Sequence, residues 1–466
     1  MSQPLAQTPR VHPHPAPALT TFQRYQQAVS QPRVTEILAG RSVFSREGPF
    51  RAWIVIWLMI FQRLHAVGTL SVAVRELLTG PVKECILWGN QQPRPLSAST
   101  SAYSQARSRL PLAVAEKVSD LIFQSLFKPT TLAGLPMPMF LLDGSSVVTR
   151  HSKELVKAFP PALNQHGQSH WPVIRVVVAH EVVSGLAVRP NWGPMYGDHA
   201  ISEQALTKEL MGRLPAGCGV MGDPNFGVFS MAYHAQQHNH PCLFRLTKIR
   251  AQKLNGGLIA PPAGSDKAIC WTPSRADRRT NPEIPPTACL RGRLIALRLK
   301  GGTGKKIYFF TTLDLPAEKI LELYGYRWNI ETDLRWLKGE VRLQMIEAQS
   351  KAMVEKELVL AVAAYNLIRA TMTGAAVALQ VDPRQLSYSQ VRDTTNAFMP
   401  LLAHAKTETE RKAIVEEMLR IFSYCKLPRR SKRRSAPREV WGRTRPFPKR
   451  KPAKQRKPSQ RRKKVA

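Results

Sequence analysis

The spacing of apolar positions changes twice along the chain. From Phe22 to about Phe127 they recur three and four residues apart, as in RAWIVIWLMIFQRL, GTLSVAVRELL and PLAVAEKVSDLIFQSLF, with Gly and Pro between the runs. This predicts a helical region over 22–130, preceded by a Pro-rich, disordered leader over 1–21. The stretch SASTSAYSQARSRLP differs, being small, polar and basic, and predicts a short capped helix displaying Tyr103, Arg107 and Arg109. Further on, β-rich runs bounded by turn residues appear: PMFLLDGSSVV, WPVIRVVVAHEVV, GLAVRPNWG, CGVMGDPNF and HPCLFRLTKI. Helical patterns (HAISEQALTKELMGRL, FSMAYHAQQHN) lie between some of them, which predicts an α/β domain around a mixed sheet over 135–345. Residues 250–306, rich in Gly, Pro and Arg with short β pieces, predict a β insertion in it. Helices return at Pro316 and fill a C-terminal region, 346–426, that includes the apolar stripe ELVLAVAAYNLIRATM.

Charge adds a partner to this picture. The chain of 466 residues carries a formal net charge of +36. Roughly half of it sits in the tail 427–466, which has no core-forming pattern and is expected to be disordered and to bind phosphates. Such a charge attracts polyanions, nucleic acid first and an anionic membrane surface second. The apolar run Ala52 to Phe61 is about half the length of a spanning helix and is flanked by Arg51 and Arg63, so a buried core helix is expected and no membrane partner. The N-terminus lacks the pattern of a secretory signal. Six cysteines without a CxxC pair fit reduced thiols in a cytoplasmic protein better than a disulfide framework.

The chemistry is concentrated in YGYRWNIETDLRWLKGEV. On one continuous helix, at roughly 100° per residue, Tyr324, Arg327, Glu331 and Lys338 would share an arc of about 60°, with Ile330, Leu334, Leu337 and Val341 on the other side. A carboxylate flanked by fixed cations suits an ion that is itself bound to a phosphate. Two further acids follow apolar strands, Asp143 in FLLDG and Asp223 in GVMGD, where an α/β sheet gathers ligands. Two strand-end aspartates and a helical glutamate supply the hard oxygens that Mg²⁺ prefers, and two ions about 4 Å apart suit in-line displacement at phosphorus.

Tyr324-x2-Arg327-x3-Glu331-x6-Lys338 resembles the Y-R-E-K signature of bacterial cut-and-paste transposases of the insertion-sequence-four family. LLDGSSV around Asp143 and GDPNFG around Asp223 resemble that family's first and second aspartate motifs, in the same order. AYSQARSRLP resembles a segment ahead of the family's catalytic domain. The resemblance spans about residues 50–375. It implies an α/β, ribonuclease-H-like catalytic core with a β insertion between its last strand and the glutamate helix, flanked by helical N- and C-terminal regions. It implies DDE catalysis by Asp143, Asp223 and Glu331 with two Mg²⁺ (or Mn²⁺) ions, cleavage and strand transfer of double-stranded DNA at inverted-repeat ends and target, a hairpin intermediate, and a homodimer in the DNA complex. Tyr324, Arg327 and Lys338 would contact DNA near the scissile phosphate, in a cytoplasmic, nucleoid-associated enzyme. Asn225 stands where relatives often have Gly, and its tolerance of a left-handed turn accommodates this.

Other residues carry weaker signals. Trp271, in the insertion, is a candidate platform for an unstacked base, against a packing role inside the insertion. Arg107 and Arg109 are candidate phosphate contacts, against simple solvation. His234 and His238 are four apart on an expected helix but lack the glutamate of HExxH, and GGTGKK at 301–306 reads as a hairpin turn rather than a nucleotide loop. Asp143-Gly144 is also an ordinary turn dipeptide. The alternative function is a non-catalytic basic DNA-binding protein derived from a transposase.

Overall fold

A computed structural model describes residues 20–427 apart from 39–43, 45–46, 90–91, 130–131, 133–134, 136, 166 and 300–305. The leader up to residue 19, the basic tail from residue 428 and the turn at 301–305 therefore lie outside the described residues, while Thr20 and Thr21, read as the leader's end, open the first helix.

Among the described residues six α-helices come first: α1 (Thr21–Ala28), α2 (Gln31–Ile37), α3 (Ala52–Leu64), α4 (Leu70–Thr79), α5 (Ser101–Arg109) and α6 (Leu112–Leu126). Thr20 opens α1 with a reciprocal capping box to Gln23. α3 is apolar around nearly its whole circumference and is enclosed accordingly, with every residue buried except Gln62. Its indoles find acceptors: Trp53 Nε1 donates to Val29 O (2.7 Å) and Trp57 Nε1 to Glu76 Oε1 (2.9 Å).

The sheet region runs β1 (Met139–Thr149), α7 (Lys153–Ala158), a small hairpin of β2 (Leu163–Asn164) and β3 (Gly167–Gln168), β4 (Val173–Glu181), β5 (Asn191–Pro194), α8 (Glu203–Met211), β6 (Gly219–Gly222), α9 (Phe229–Gln237) and β7 (Cys242–Leu246). The order β5-β4-β1-β6-β7, with β4 antiparallel to both neighbours and β1, β6 and β7 mutually parallel, is the ribonuclease-H-like arrangement. α10 (Lys248–Leu254), β8 (Ser265–Trp271), α11 (Arg275–Thr280), β9 (Leu290–Arg298) and β10 (Lys306–Thr311) follow. The insertion is not a separate layer. It extends the same sheet in the order β7-β10-β9-β8, all antiparallel. That pairing brings Cys270 beside Cys289, and the two form a disulfide (Cα–Cα 5.8 Å), so the expectation of thiols throughout fails for this pair. Partners 19 residues apart carry no local sequence motif. Cys85, Cys218, Cys242 and Cys425 are free.

α12 (Ala317–Gly325), α13 (Trp328–Gly339), the two-residue β11 (Met345–Ile346) beside β1, α14 (Lys351–Ala378), α15 (Tyr388–His404) and α16 (Glu408–Tyr424) complete the fold. α14 is the one helix among the described residues long and apolar enough to cross a membrane, and its apolar stretch is wholly buried inside the protein. It packs against α3 and α6, so the leading and trailing helices share one core with one face of the sheet. Phe140 and Leu142 of β1 point to that face, with Leu206 and Leu210 of α8. Met139 and Leu141 point to the other, with Met221 of β6 and Leu323, Tyr324 and Ile330 of α12 and α13. Alternation along a strand makes this division and decides where the acids project.

Candidate active site

β1 and β6 run parallel with Met139 beside Gly219, Phe140 beside Val220 and Leu141 beside Met221. Carried two residues further, that register sets Asp143 beside Asp223, on neighbouring strands about 4.8 Å apart. Both acids have the parity of Leu141 and Met221, so both project on the face covered by α12 and α13. Asp143 is not the end of its strand, as the sequence suggested, nor is Asp143-Gly144 a turn. β1 continues to Thr149, and Gly144 pairs with Val177 of β4. What ends is β6, which leaves the adjoining edge of β1 open from Leu142 until β11 pairs with it at Val148.

After β6 the chain turns at once. The Asp223 carboxylate accepts from the Asn225 N–H (2.8 Å), and the Asp223 carbonyl accepts from Phe226 and Gly227. A Cβ at Gly227 would overlap the Arg245 carbonyl, which explains the small residue there. Asn225 has no left-handed backbone, contrary to expectation. Its side chain is what the turn uses, since Asn225 Nδ2 donates to the Glu203 carboxylate.

The helix bearing the four-residue signature is broken. The hydrogen-bond ladder tightens at 326–327, where Tyr326 N bonds Leu323 O and Arg327 N bonds Tyr324 O, so Tyr324 lies in the last turn of α12 while Glu331 and Lys338 belong to α13. Gly325 is the weak helix former at the break. Tyr324 is therefore on a different helix from Glu331 and Lys338, although the charges of Arg327, Arg245 and Asp223 still act on its hydroxyl. It is buried, with its ring edge-on to Phe309 (centroids 4.9 Å apart), because α12 uses Ile320, Leu323 and Tyr324 to cover the sheet. The expected stripe of Ile330, Leu337 and Val341 is buried, and Leu334 is half-buried.

Arg327 and Lys338 face the strand-borne acids. Arg327 Nη2 lies 3.1 Å from Glu331 Oε1, and its charge also acts on Asp143. Lys338 Nζ donates to Ser145 Oγ (3.0 Å), two residues past Asp143 on the same face of β1. Trp328 is half exposed beside Arg327, whose guanidinium lies 5.2 Å from the indole centroid. α13 is pinned by Asp333, which is fully buried, accepts from Arg384 Nη1 and Nη2 (2.9 and 3.0 Å), and accepts from the Tyr365 hydroxyl (3.2 Å).

Burial pushes Asp143 up to about 7; the carboxylates of Asp223 and Glu203 add to this, while the Gly144 N–H and Arg327 offset only part. Burial likewise raises Glu203, with the Asp223 charge adding to it. Asp143 and Asp223, side by side with too little positive charge, are what a divalent cation relieves, so their oxygens fit a hard ion. Glu331 is held off by its pair with Arg327, and among the described residues no three acidic, His or Cys side chains stand close enough to hold an ion as placed.

The weaker candidates fare differently. Trp271 is buried, edge-on to Phe310 (4.9 Å) and Phe229 (5.7 Å), so no base can stack on it; the alternating pattern of β8 turns it into the core. Tyr103 is buried rather than displayed, and Arg107 is paired with Glu357 (3.2 Å), which also binds Arg63. α5 thus docks on α14, where Lys356 Nζ caps its end by donating to the carbonyls of Arg107, Ser108 and Leu110. Arg109 stays exposed near the Phe44 ring. His234 meets Glu283 (3.2 Å), and His240 is buried against the carbonyls of Cys218 and Met211. Glu203 went unread in the sequence, because an acid in the first turn after a Ser cap is what any helix start displays.

Over residues 136–367 the chain matches the family described as Transposase DDE domain. It is 25% identical over 349 residues to the transposase InsG for insertion sequence element IS4 of Escherichia coli, covering 72% of this chain and 73% of that one. Among solved structures it is similar to the piggyBac transposase synaptic complex with hairpin DNA, at 10% identity and a TM-score of 0.45, over 86% of this chain and 85% of that one.

Proposed function

The chain belongs to the DDE transposases, of the insertion-sequence-four type, and is a DNA-cutting polynucleotidyl transferase; from this we propose that Asp143, Asp223 and Glu331 are its three catalytic carboxylates. The observation that carries the reading is the register of β1 and β6, which sets Asp143 beside Asp223 on the face where α13 brings Glu331, Arg327 and Lys338. Divalent-metal dependence is general in the family. Here the three acids would hold two Mg²⁺ or Mn²⁺ ions, which activate water or a 3′-hydroxyl and stabilise the leaving oxygen.

The chain's own side chains do the rest. Asp143 and Asp223 present adjacent oxygens from a rigid sheet, and burial keeps their field strong. Arg327 exchanges Glu331 for a non-bridging phosphate oxygen, which leaves Glu331 to complete the carboxylate set. Lys338, steadied by Ser145, supplies a second cation to the same phosphate. Tyr324 supports this wall with its buried ring, and its hydroxyl end lies toward Arg327, Arg245 and Asp223, where the strand would pass. The cleft beside Asp223, about 750 Å³ and lined by Pro224, Arg245, Thr247 and Lys248, extends the basic path for a strand. Cut-and-paste movement of an insertion sequence in the bacterial cytoplasm, by a homodimer on paired ends, completes the reading.

The test is cleavage of a plasmid carrying the element's own flanking DNA. Asp143→Asn, Asp223→Asn and Glu331→Gln should each keep DNA binding and lose Mg²⁺-dependent cutting; any variant that cuts normally removes its residue from the mechanism. A chain that binds DNA but makes no cut in the wild-type form supports the non-catalytic alternative instead.

A further inference from the structure

The two strand-borne acids are joined by a side chain outside the three-acid set. Glu203 opens α8, on the opposite face of β1 from the Asp143 carboxylate. Gly144 has the parity of Phe140 and Leu142, and a Cβ there would overlap the Glu203 carboxylate. The Glu203 carboxylate is thus seated in the space that a side chain at 144 would fill. It packs against the Gly144 backbone, whose N–H donates to Asp143 Oδ1 (2.9 Å). The same carboxylate accepts from Asn225 Nδ2, and the Asn225 N–H donates to Asp223 Oδ1. The neighbouring Gln204 Nε2 donates to Asn225 O (2.8 Å), a second grip on the same turn. Ser202 caps α8 through the Ala205 N–H, which fixes the helix start that carries both residues.

We propose that Glu203 is a positioning residue: from behind the sheet it clamps the backbone after Asp143 to the turn after Asp223, holding the two acids at one separation. The proposal rests on the reading of Asp143 and Asp223 as the catalytic pair. The chain of contacts is Asp143, Gly144, Glu203, Asn225, Asp223: the Glu203 carboxylate packs against Gly144, and the Asn225 links on either side are hydrogen bonds. Its position behind β1 separates Glu203 from the cation-binding face, so its role is geometric. Partners that orient ligand carboxylates typically matter by roughly 10- to 100-fold in metal affinity or activity when removed. A glutamine keeps the shape that packs against Gly144, and its Oε1 can still accept from Asn225 Nδ2.

The experiment compares Glu203→Ala, Glu203→Gln and Gly144→Ala with wild type in the full chain, by three readouts. These are amide hydrogen exchange of residues 143–145 and 223–227 without DNA, Mn²⁺ affinity by electron paramagnetic resonance, and single-turnover cleavage. Glu203→Ala and Gly144→Ala should both speed exchange in the two segments, and weaken Mn²⁺ binding and cleavage by roughly 10- to 100-fold. Glu203→Gln should stay within about threefold of wild type in all three. If Glu203→Gln is as damaging as Glu203→Ala, the charge rather than the clamp matters and the proposal is overturned. Unchanged exchange in Glu203→Ala overturns it as well. Should Glu203→Ala fail to fold, Gly144→Ala and Glu203→Gln still decide. An Asp223→Asn control with normal Mn²⁺ binding and cleavage sinks the parent reading alone, because the exchange readout still tests the clamp.

Discussion

Replacing Arg384 by Met should damage the support of the helix that carries Glu331. Asp333 has no exposed side-chain area, and Arg384 is the cation that neutralises it, through two hydrogen bonds. Arg384 also donates to the carbonyls of Val182 and Glu181, so its removal orphans acceptors as well as a charge. Breaking a buried pair from one side costs about 3–5 kcal/mol. That is a large part of the roughly 5–15 kcal/mol that typically stabilises a domain. The pH dependence gives a sharper signature. Burial pushes the Asp333 carboxyl up, but Arg384 and His180 outweigh it and hold it below the ordinary range. The folded pKa lies under the unfolded value of about 3.9, so this contribution is present above about pH 4 and is lost as pH falls through the folded value. In Arg384→Met the largest counterweight is gone and only His180 and Arg369 still oppose burial, so the carboxyl rises and the variant should recover stability on acidification from pH 7 to 5. Replacing Asp333 by Leu at the same time should restore much of the loss, because an apolar pair of similar volume is often neutral. Urea unfolding followed by circular dichroism at pH 7 and pH 5 measures both effects. A loss under about 1 kcal/mol at pH 7, or a pH profile parallel to wild type, refutes the reasoning.

Three other outcomes follow from the packing. Burial pushes Glu76 up to about 7 although Trp57 donates to it, so the unfolded chain ionises first and stability falls between about pH 4.5 and 7; Glu76→Gln should abolish that slope and gain about 3 kcal/mol at pH 8, and a wild-type midpoint flat over this range contradicts it. Trp271→Ala should cost about 3–5 kcal/mol by opening a cavity against Phe229 and Phe310, with no selective loss of one strand-exchange step; a variant of normal melting temperature that lacks only that step restores the base-platform idea. Non-reducing peptide mapping should recover Cys270 linked to Cys289, and Cys289→Ser should lower stability by about 3 kcal/mol; two alkylatable thiols at these positions in the native protein contradict the link.

What could be read from residues and what could not divides along physical lines. Alternation and the 3.6-residue period are local, so the strands bearing Asp143 and Asp223, the apolar α3 and the stripe on α13 were legible. The sheet order was not in the alternation, since pairing is long-range; it came with the family resemblance. A single Gly325 gave little warning that the signature would split between two helices, because Gly inside a helix costs only about 1 kcal/mol. Asp143-Gly144 looked like a turn because its strand neighbour β4, about thirty residues on, is invisible locally. Arg107 read as a phosphate contact until α14 supplied Glu357 from 250 residues away. Glu203 had no local signature at all, since its partners are Gly144 and Asn225 rather than anything on its own helix.

The most direct measurement is iron-directed self-cleavage. The protein, bound to the element's end DNA, is loaded with Fe²⁺ in place of Mg²⁺, treated with ascorbate and peroxide, and its fragments are mapped by mass spectrometry. Backbone cuts clustered near 143, 223 and 331, all suppressed by excess Mg²⁺ and all lost together in Asp143→Asn, are the predicted result. Cuts near 143 and 223 with the backbone around Glu331 untouched, or cuts elsewhere that Mg²⁺ does not suppress, contradict a shared site.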